Sequence, residues 1–288
     1  MITEAQFQNE LQLIIQNGIR EDIGEGDHSS LACIPSTAQG KAKLLVKDKG
    51  IIAGVEFAKM IFNHVDADLK VETFIQDGSS VNYGDIAFHV SGSSQSILKA
   101  ERLVLNSMQR MSAIATKTKM YVDLLEGTST KVLDTRKTTP GFRAAEKWAV
   151  KIGGGENHRF ALYDMIMLKD NHIDYAGGII QAIDKAFSYV NEYQPHLKIE
   201  VETRNLDDVK KVLATGKVNR IMLDNFTPEQ LKEAVALIGE QIETEASGGI
   251  NLSNIQTYAA AGVDYVSVGA LIHQARSLDL SLKAVVEQ

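Results

Sequence analysis

With 288 residues, 44% of them hydrophobic and 23% charged, the chain has the composition of a globular protein that can bury a sizeable core. The length suits two modest domains, or one barrel with an appendage. A formal net charge of −7 gives no broad electrostatic reason to bind nucleic acid or an anionic membrane, so we expect neither as a partner.

Three features of the sequence bear on where the protein works. The N-terminal stretch MITEAQFQNELQLIIQ contains acidic residues and no uninterrupted apolar run, unlike a secretory signal. The longest apolar-rich segment, 97–125, is broken repeatedly by charged side chains, which argues against a membrane span. Cys33 is the single cysteine, so an intrachain disulfide is impossible, as is typical of a reducing compartment. Together these features predict a cytoplasmic protein.

The first part of the chain is predicted to mix helices with short strands. In residues 4–17, Phe7 and Leu11 belong to an apolar set at helical spacing. Four apolar runs separated by turn signals then predict an antiparallel sheet within 40–92: KAKLLVKD, GIIAGVE, LKVETFIQ and DIAFHVSG. Residues 95–125 are predicted to form one long helix or two abutting helices.

From residue 131 onward, short apolar strands alternate with helical patterns. The predicted strands are KVLDTRK, MIMLKDNH, KIEVET, RIMLDN, IETEASGG and YVSVGA. The helical patterns between them include IIQAIDKAFSYV, LDDVKKVLAT, PEQLKEAVALIG and NIQTYAAA. Such alternation predicts a parallel sheet with right-handed crossovers.

The polar ends of these strands decide between an open sheet and a barrel. Each predicted strand ends in polar residues or glycine. In a β/α barrel all carboxyl ends of the strands converge on one mouth, whereas in an open sheet only those at the switch point meet. Polar residues at every strand end therefore favour a closed or nearly closed barrel.

Cations are concentrated between residues 131 and 172. This window holds eight Lys and Arg against five Asp and Glu, an excess of +3 in a chain that is −10 elsewhere. Such a local excess suggests a small polyanionic ligand. Arg136 and Lys137 close a strand there, and offer a planar fork and a point charge to a carboxylate or phosphate. The alternative is an ordinary basic turn on the surface.

Two further basic clusters follow in the same window. His158 and Arg159 come after three consecutive glycines, 153–155, which let the backbone approach a ligand or turn sharply. Lys169 ends the apolar strand MIML. A lysine at that point suits a Schiff base, as in barrel aldolases, or neutralisation of a bound anion, and the neighbouring cations favour the second use.

Acidic residues occupy the middle strands. Strand alternation places Glu200 and Glu202 on the same side of KIEVET. A carboxylate inside a barrel is costly unless it is paired or binds a metal. We expect Glu200 and Asp224 to hold Mg²⁺, directly or through water, or to bond sugar hydroxyls. The alternative is a structural ion pair with the inward cations.

Glycines end the last two predicted strands. Ser247-Gly248-Gly249 and Gly269-Ala270 suit a phosphate site of the kind that late-strand loops form in barrels, or else plain tight turns. His273 is placed either near this mouth or at a helix cap. Arg102, among apolar neighbours in a helical pattern, is by default a surface residue.

The quoted motifs resemble those of a known family. DTRKTTPGFRAAEKWAVKIGGGENHR, LKDNH, EVET, IMLDN, EASGGI and SVGAL look like quinolinate phosphoribosyltransferase, and the likeness extends upstream through EDIGEGDHSS, GIIAGVE and AERLVLNSMQRMSAIATKT. The resemblance implies an α/β protein with an N-terminal α/β sandwich, residues 1–112, and an incomplete TIM-like β/α barrel, residues 113–274. The tail 275–288 is expected to pack back on the first domain.

The family also implies a reaction and an assembly. The enzyme joins quinolinate to phosphoribosyl pyrophosphate (PRPP) with Mg²⁺, and gives nicotinate mononucleotide, CO₂ and pyrophosphate in de novo NAD synthesis. The family is dimeric or higher, with the active site shared between subunits. By this resemblance Arg102 reaches across to the neighbouring subunit's site.

Roles for the remaining residues follow from the same resemblance. Arg136, His158, Arg159 and Lys169 are expected to grip quinolinate, and Lys137 and Lys169 to face the donor. Catalysis is assigned to Lys137, Glu200 and Asp224, of which Glu200 and Asp224 hold the ribose and metal. The expected phosphate-side and remaining substrate contacts are Ser247, Gly248, Gly249, Gly269, Ala270 and His273.

Four positions depart from the family pattern: Ala113, Ala161, Ile272 and Gln274. None removes a charged ligand, so they bear on local packing and phosphate contacts. Three alternative functions stay open on the sequence: a related pyridine phosphoribosyltransferase, a Schiff-base barrel aldolase using Lys169, and a non-catalytic binder of phosphorylated metabolites.

Overall fold

The computed structural model describes residues 2–285, so Met1 and residues 286–288 of the predicted tail lie outside it. The described residues form two compact units. One comprises 3–119, 138–154 and the chain from 271, and the other comprises Ile2, 120–137 and 155–270. The domain boundaries inferred from the resemblance stay predictions. None of the described helices is long and apolar enough to cross a membrane.

The first part of the chain builds nine elements. They are α1 (Glu4–Ile23), α2 (His28–Cys33), β1 (Gln39–Val46), β2 (Gly50–Ile51), α3 (Val55–Val65), β3 (Lys70–Thr73), β4 (Ser80–Val81), β5 (Ile86–Ser93) and α4 (Ser94–Asp123). The predicted long helix is therefore one continuous helix, and the predicted first helix extends six residues further than 4–17.

The second part of the chain alternates strands and helices, as predicted. Its elements are β6 (Lys131–Leu133), α5 (Arg143–Ile152), β7 (Ile166–Leu168), α6 (Asp170–Ala176), α7 (Ile179–Tyr193), β8 (Ile199–Thr203), α8 (Leu206–Thr215), β9 (Arg220–Asp224), α9 (Pro228–Ile238), β10 (Glu243–Ser247), α10 (Ile255–Ala259), β11 (Tyr265–Ser267), α11 (Ala270–His273) and β12 (Leu280–Ala284).

The first unit contains a four-stranded antiparallel sheet in the order β12-β1-β5-β3. The register places Leu44 opposite Phe88 on one side and Leu282 on the other. Phe88 packs edge-to-face on Phe62 of α3, with ring centroids 5.9 Å apart. Because these side chains are almost entirely buried, they form the core between the sheet and the helix.

The predicted strand GIIAGVE is only partly correct. Gly50 and Ile51 pair with β4 in a separate two-stranded sheet, and α3 begins at Val55. Its buried residues recur at helical spacing, and Asp77 accepts hydrogen bonds from the amides of Val55 (2.8 Å) and Glu56 (3.3 Å). A carboxylate supplied from a later loop thus caps the helix, a contact that local sequence does not reveal.

The second unit contains a six-stranded parallel sheet in the order β6-β11-β10-β9-β8-β7. β6 and β7 lie at its two ends, and in the described part of the chain a single parallel bridge, Leu133 to Glu156, extends the sheet beyond β6. The expected incomplete β/α barrel is therefore confirmed. All six predicted strands are present, and helices lie between them.

The register of this sheet sorts its side chains into two faces. Val201, Ile221 and Leu223 alternate onto one buried apolar face. The opposite face carries the charged residues in rows, because Glu200 pairs with Arg220 and Ser247 pairs with Asp224. The polar residues therefore point inward, and the last row lies at the carboxyl ends of the strands.

Candidate active site

A cavity of about 570 Å³ opens at the carboxyl ends of the parallel strands. It lies within the second unit, and half of its sixteen lining residues were predicted as site residues. The predicted residues that line it are Arg136, Lys137, His158, Arg159, Lys169, Asp224, Ser247 and Gly248. Glu202, a residue of the predicted acidic strand, lines it as well.

The other predicted site residues do not line this cavity. Glu200 is fully buried and contacts His158, which does line it. Gly249 and the pair Gly269-Ala270 belong to the same unit but are absent from the lining. Arg102 and His273 are exposed residues of the first unit. The binding roles expected for these residues stay predictions.

Two arginines share the cavity and leave hydrogen-bonding groups unused. Arg159 is 7% exposed and donates from one terminal nitrogen to the Met165 carbonyl at 3.2 Å. Its Nε and that of Arg136 are buried and have no hydrogen-bond partner among the described residues. Burial lowers the pKa of Arg159, and the charge of Arg136 lowers it further. Adjacent, incompletely bonded guanidinium groups are costly unless an anion binds them.

His158 is fixed between a backbone contact and two carboxylates. Its amide donates to Asp134 Oδ1 at 2.9 Å. Its Nε2 lies 3.0 Å from Glu200 Oε2 and 3.4 Å from Glu245 Oε2. The Arg159 backbone nitrogen lies 2.7 Å from Nδ1 and donates to it when the imidazole is neutral. The imidazole is therefore held in one orientation at the wall of the cavity.

Opposing effects set the protonation of this cluster. Burial lowers the pKa of His158, but the bonds to Glu200 and Glu245 raise it to about 9. The Arg159 amide opposes a second proton on Nδ1, yet two buried carboxylates outweigh one amide dipole. Burial and the charge of Glu245 raise the pKa of Glu200. Burial also raises the pKa of Glu245, but the bond from His158 outweighs it and lowers that pKa.

Arg220 completes the cluster beneath the cavity. Its guanidinium lies 3.3 Å from Glu245, 3.9 Å from Glu200 and 2.9 Å from Glu243. It also stacks on the Tyr265 ring at 4.2 Å from the centroid. Since the side chains of Glu200 and Glu245 are fully buried, Arg220 and protonated His158 together balance charge that water cannot reach.

A second acidic group lies at the mouth. Asp224 Oδ1 accepts a hydrogen bond from the Ser247 hydroxyl at 2.6 Å, and its Oδ2 accepts one from the side-chain amide of Asn225 at 2.6 Å. Burial raises the pKa of Glu202, and the charge of Asp224 raises it further. Lys169 Nζ lies 4.0 Å from Glu202. Two neighbouring carboxylates in a polar cavity form a donor set that suits a hard divalent cation.

The buried cluster is a less suitable metal site. Single ligand atoms of His158, Glu200 and Glu245 lie within 4.8 Å of one another. However, His158 already forms ion pairs with both carboxylates, and Arg220 supplies a further positive charge. An added cation would have to displace these contacts, so the carboxylates at the mouth fit Mg²⁺ better.

Sequence reasoning missed three contributors to the site. Glu245 and Asn225 line the cavity, and Arg220 pairs with the buried carboxylates. Strand alternation signals two of them: in IETEAS it places Glu245 on the side of Ser247, and in RIMLD it places Arg220 on the side of Asp224. Applying alternation to every strand, as was done for KIEVET, would have found them.

The parallel β/α fold and its cationic, metal-compatible mouth define an enzyme that acts on anionic substrates. Two family models match the chain: the C-terminal domain of quinolinate phosphoribosyl transferase over residues 114–283, and its N-terminal domain over 27–112. The chain belongs to the quinolinate phosphoribosyltransferase family.

Individual relatives agree with this assignment. The chain is 45% identical over 293 residues to the chloroplastic nicotinate-nucleotide pyrophosphorylase [carboxylating] of Arabidopsis thaliana, covering 96% of this chain and 84% of the relative. It is 39% identical over 276 residues to a probable nicotinate-nucleotide pyrophosphorylase [carboxylating] of Bacillus subtilis, covering 95% and 94%. The crystal structure of NadC from Streptococcus pyogenes superposes with a TM-score of 0.88 at 38% identity, covering 99% of both chains.

Proposed function

We propose that this protein transfers the phosphoribosyl group of PRPP to the ring nitrogen of quinolinate and releases pyrophosphate and CO₂. The product is nicotinate mononucleotide, in de novo NAD synthesis. Family membership supports this reaction. The observation that carries it is the pair Arg136 and Arg159, which line the same cavity and whose Nε atoms have no hydrogen-bond partner among the described residues. The two carboxylates of quinolinate supply the anions that such a pair requires.

The acceptor is bound on the cationic side of the cavity. Arg136 and Arg159 each offer a planar fork to a carboxylate, and His158, paired with Glu200, adds positive charge at the cavity wall. Bringing two polyanionic substrates together in a pocket of low dielectric constant requires fixed cations, because their mutual repulsion would otherwise exclude one of them. Arg136, His158 and Arg159 therefore both bind and orient the pyridine ring.

The donor is bound on the acidic and glycine-rich side. Lys137 and Lys169 face its phosphates, with Ser247 and Gly248 as further contacts. Mg²⁺ suits the two carboxylates at this side, Asp224 and Glu202. The sequence expectation named Glu200 in place of Glu202, but Glu202 lines the cavity with Asp224. When bound, Mg²⁺ neutralises the oxygens of the departing pyrophosphate.

The chain's residues then assist a substitution at the sugar. The ring nitrogen, oriented by the arginines, attacks the anomeric carbon of the ribose as pyrophosphate departs. Positive charge develops on the sugar, and the nearby carboxylates offset it. Lys137 stabilises the leaving oxygens. The pyridinium that forms is an electron sink, so the carboxyl group beside the nitrogen leaves as CO₂ with little further help from the protein.

The assembly and location follow from the same proposal. The protein forms a homodimer or a larger assembly in which Arg102 enters the neighbouring subunit's site. The exposed position of Arg102 on α4 is compatible with such a contact. The enzyme acts in the cytoplasm, as expected from the sequence.

The acceptor preference tests the proposal. Purified protein is given PRPP and Mg²⁺ with either quinolinate or nicotinate, and pyrophosphate release is measured. We expect release with quinolinate and little with nicotinate, which lacks one carboxylate. Turnover with nicotinate alone would instead indicate a related pyridine phosphoribosyltransferase, and no turnover with either would favour a non-catalytic binder.

The aldolase alternative has weaker structural support. A Schiff-base lysine is usually desolvated, whereas the Lys169 side chain is 49% exposed and lies 4.0 Å from Glu202. Borohydride trapping of a carbonyl substrate on Lys169 would support the aldolase and contradict the transferase.

A further inference from the structure

We propose that Asn225 and Gly248 act together as a positioning pair that fixes the orientation of the Asp224 carboxylate. This inference rests on the proposed function, in which Asp224 serves the donor side of the site. Asn225 directly follows Asp224 at the end of β9, and Gly248 directly follows Ser247 at the end of β10. Both residues line the cavity.

The backbone of Asn225 has an unusual conformation. Its φ is +57°, and it is the only non-glycine residue with positive φ in the part of the chain that the structure describes. Asparagine tolerates this left-handed region better than most residues, but the conformation still costs free energy. Something in the folded protein must therefore favour it.

Hydrogen bonds of Asn225 supply that compensation. The left-handed turn brings its side-chain amide back onto its own neighbour, where Nδ2 donates to Asp224 Oδ2 at 2.6 Å. Its backbone amide donates to the Ser247 carbonyl at 2.9 Å, which joins the ends of β9 and β10. Because the Ser247 hydroxyl donates to Asp224 Oδ1, each carboxylate oxygen has its own donor and the carboxylate cannot rotate freely.

Gly248 leaves the space that this arrangement needs. A Cβ built on Gly248 would overlap the side-chain oxygen of Asn225 and would lie 3.0 Å from its backbone nitrogen. The φ of Gly248 is +94°, which also favours glycine. The two residues therefore fit only as a pair: glycine on β10 admits asparagine on β9, and the asparagine orients the carboxylate.

Two substitutions at one position separate positioning from folding. Asn225→Asp keeps the size and the tolerance of the left-handed conformation but replaces the donor with an acceptor that repels Asp224. Asn225→Gly removes the donor and relieves the backbone strain. We expect Asn225→Gly to unfold thermally near the wild-type temperature, and Asn225→Asp, which keeps the strain and loses the compensating bond, to unfold somewhat lower but to be folded at the assay temperature. We expect turnover to fall about 10-fold in Asn225→Gly and about 100-fold in Asn225→Asp, the range usual for residues that support a ligand-binding side chain.

Further measurements exclude a merely structural role. The KM for quinolinate should stay unchanged, because Arg136 and Arg159 are untouched, while the Mg²⁺ concentration for half-maximal rate should rise. Direct Mn²⁺ binding, followed by electron paramagnetic resonance with PRPP present, should weaken in the same order. Variants that turn over and bind Mn²⁺ like an active wild type would overturn this inference alone. A wild type inactive with quinolinate, PRPP and Mg²⁺ would overturn the proposed function and this inference with it.

Discussion

His158 Nε2 and Glu200 Oε2 lie 3.0 Å apart at a point where both side chains are almost completely shielded from water. A second buried carboxylate, Glu245, lies 3.4 Å from the same nitrogen. This contact links the cavity wall to the charged layer beneath it. The protonation of one imidazole therefore affects both the stability of the barrel and the charge that a substrate meets.

The pH dependence of stability tests this link. The pKa of His158 is about 9 in the folded protein against 6.5 for an unperturbed histidine. Since the folded pKa is raised, its stabilising contribution is complete below about pH 6.5 and is lost as the pH rises through about 9. We expect the free energy of unfolding in urea to fall across this window, by at most about 3 kcal/mol.

A variant and a spectrum check that assignment. His158→Gln, which cannot take up a proton, should flatten the stability profile between pH 6.5 and 9. In ¹⁵N-detected spectra of the wild type at pH 7, both ring nitrogens of His158 should carry protons. A neutral imidazole with the proton on Nε2 alone would contradict the raised pKa, and would mean that the Arg159 amide controls the tautomer.

Arg159→Ala should weaken the binding of quinolinate more than the binding of PRPP. The lost guanidinium is one of the two that are left incompletely bonded in the cavity, so its truncation removes a charge-assisted contact to a carboxylate. We expect a loss of about 3 kcal/mol, or roughly a hundredfold, in kcat/KM for quinolinate, with a smaller change for PRPP. Steady-state kinetics with each substrate varied in turn measures both.

A matched control is available for this variant. Arg204 is an exposed arginine that pairs with Asp174 at 3.2 Å and does not line the cavity. Arg204→Ala should leave kcat/KM unchanged for both quinolinate and PRPP. An unchanged quinolinate KM in Arg159→Ala would remove Arg159 from the acceptor site.

Arg220→Met should destabilise the barrel. The substitution keeps part of the side-chain volume but removes one of the two cations, Arg220 and protonated His158, that Glu200 and Glu245 share. Removing one partner from a buried ion pair costs about 3–5 kcal/mol. Urea unfolding measures the loss, and Lys210→Met is the control, because the exposed Lys210–Asp207 pair contributes less than about 1 kcal/mol. Equal stability of the two variants would show that Arg220 is dispensable.

Mixed subunits test the shared active site. Arg102→Ala and Lys137→Ala should each inactivate the protein, because one removes the contact from the neighbouring subunit and the other the donor-facing lysine. Mixed dimers contain one site with both residues intact, so mixing the two inactive variants should restore activity toward half of the wild-type value per mixed dimer. No recovery, with subunit exchange shown by native mass spectrometry, would place Arg102 outside the site.

The sequence predicted the strand ends well because local signals define them. Each parallel strand is a short apolar run that ends in polar residues, and Arg136, Lys169 and Asp224 all follow such runs. Helix α3 was missed because its cap, Asp77, comes from a distant loop. Helix α5, Arg143–Ile152, was not among the helical patterns identified in the sequence.

The contacts of the buried charged residues beneath the cavity could not be predicted without knowing how the strands pair. That Glu200 meets His158 and Glu245 depends on the register of β8, β9 and β10 and on the path of residues 155–158, which no local pattern specifies. The left-handed turn at Asn225 was equally hidden, because it depends on a hydrogen bond to the neighbouring strand and on the space that Gly248 leaves there.

The stoichiometry of quinolinate-dependent CO₂ release tests the central claim most directly. Quinolinate labelled with ¹⁴C in the carboxyl group beside the nitrogen is incubated with the protein and Mg²⁺, with and without PRPP. We expect one labelled CO₂ for each nicotinate mononucleotide formed, and none without PRPP, because decarboxylation needs the pyridinium made by transfer. Release of CO₂ without PRPP, or no release with it, would contradict the claim that the cationic cavity joins the two substrates.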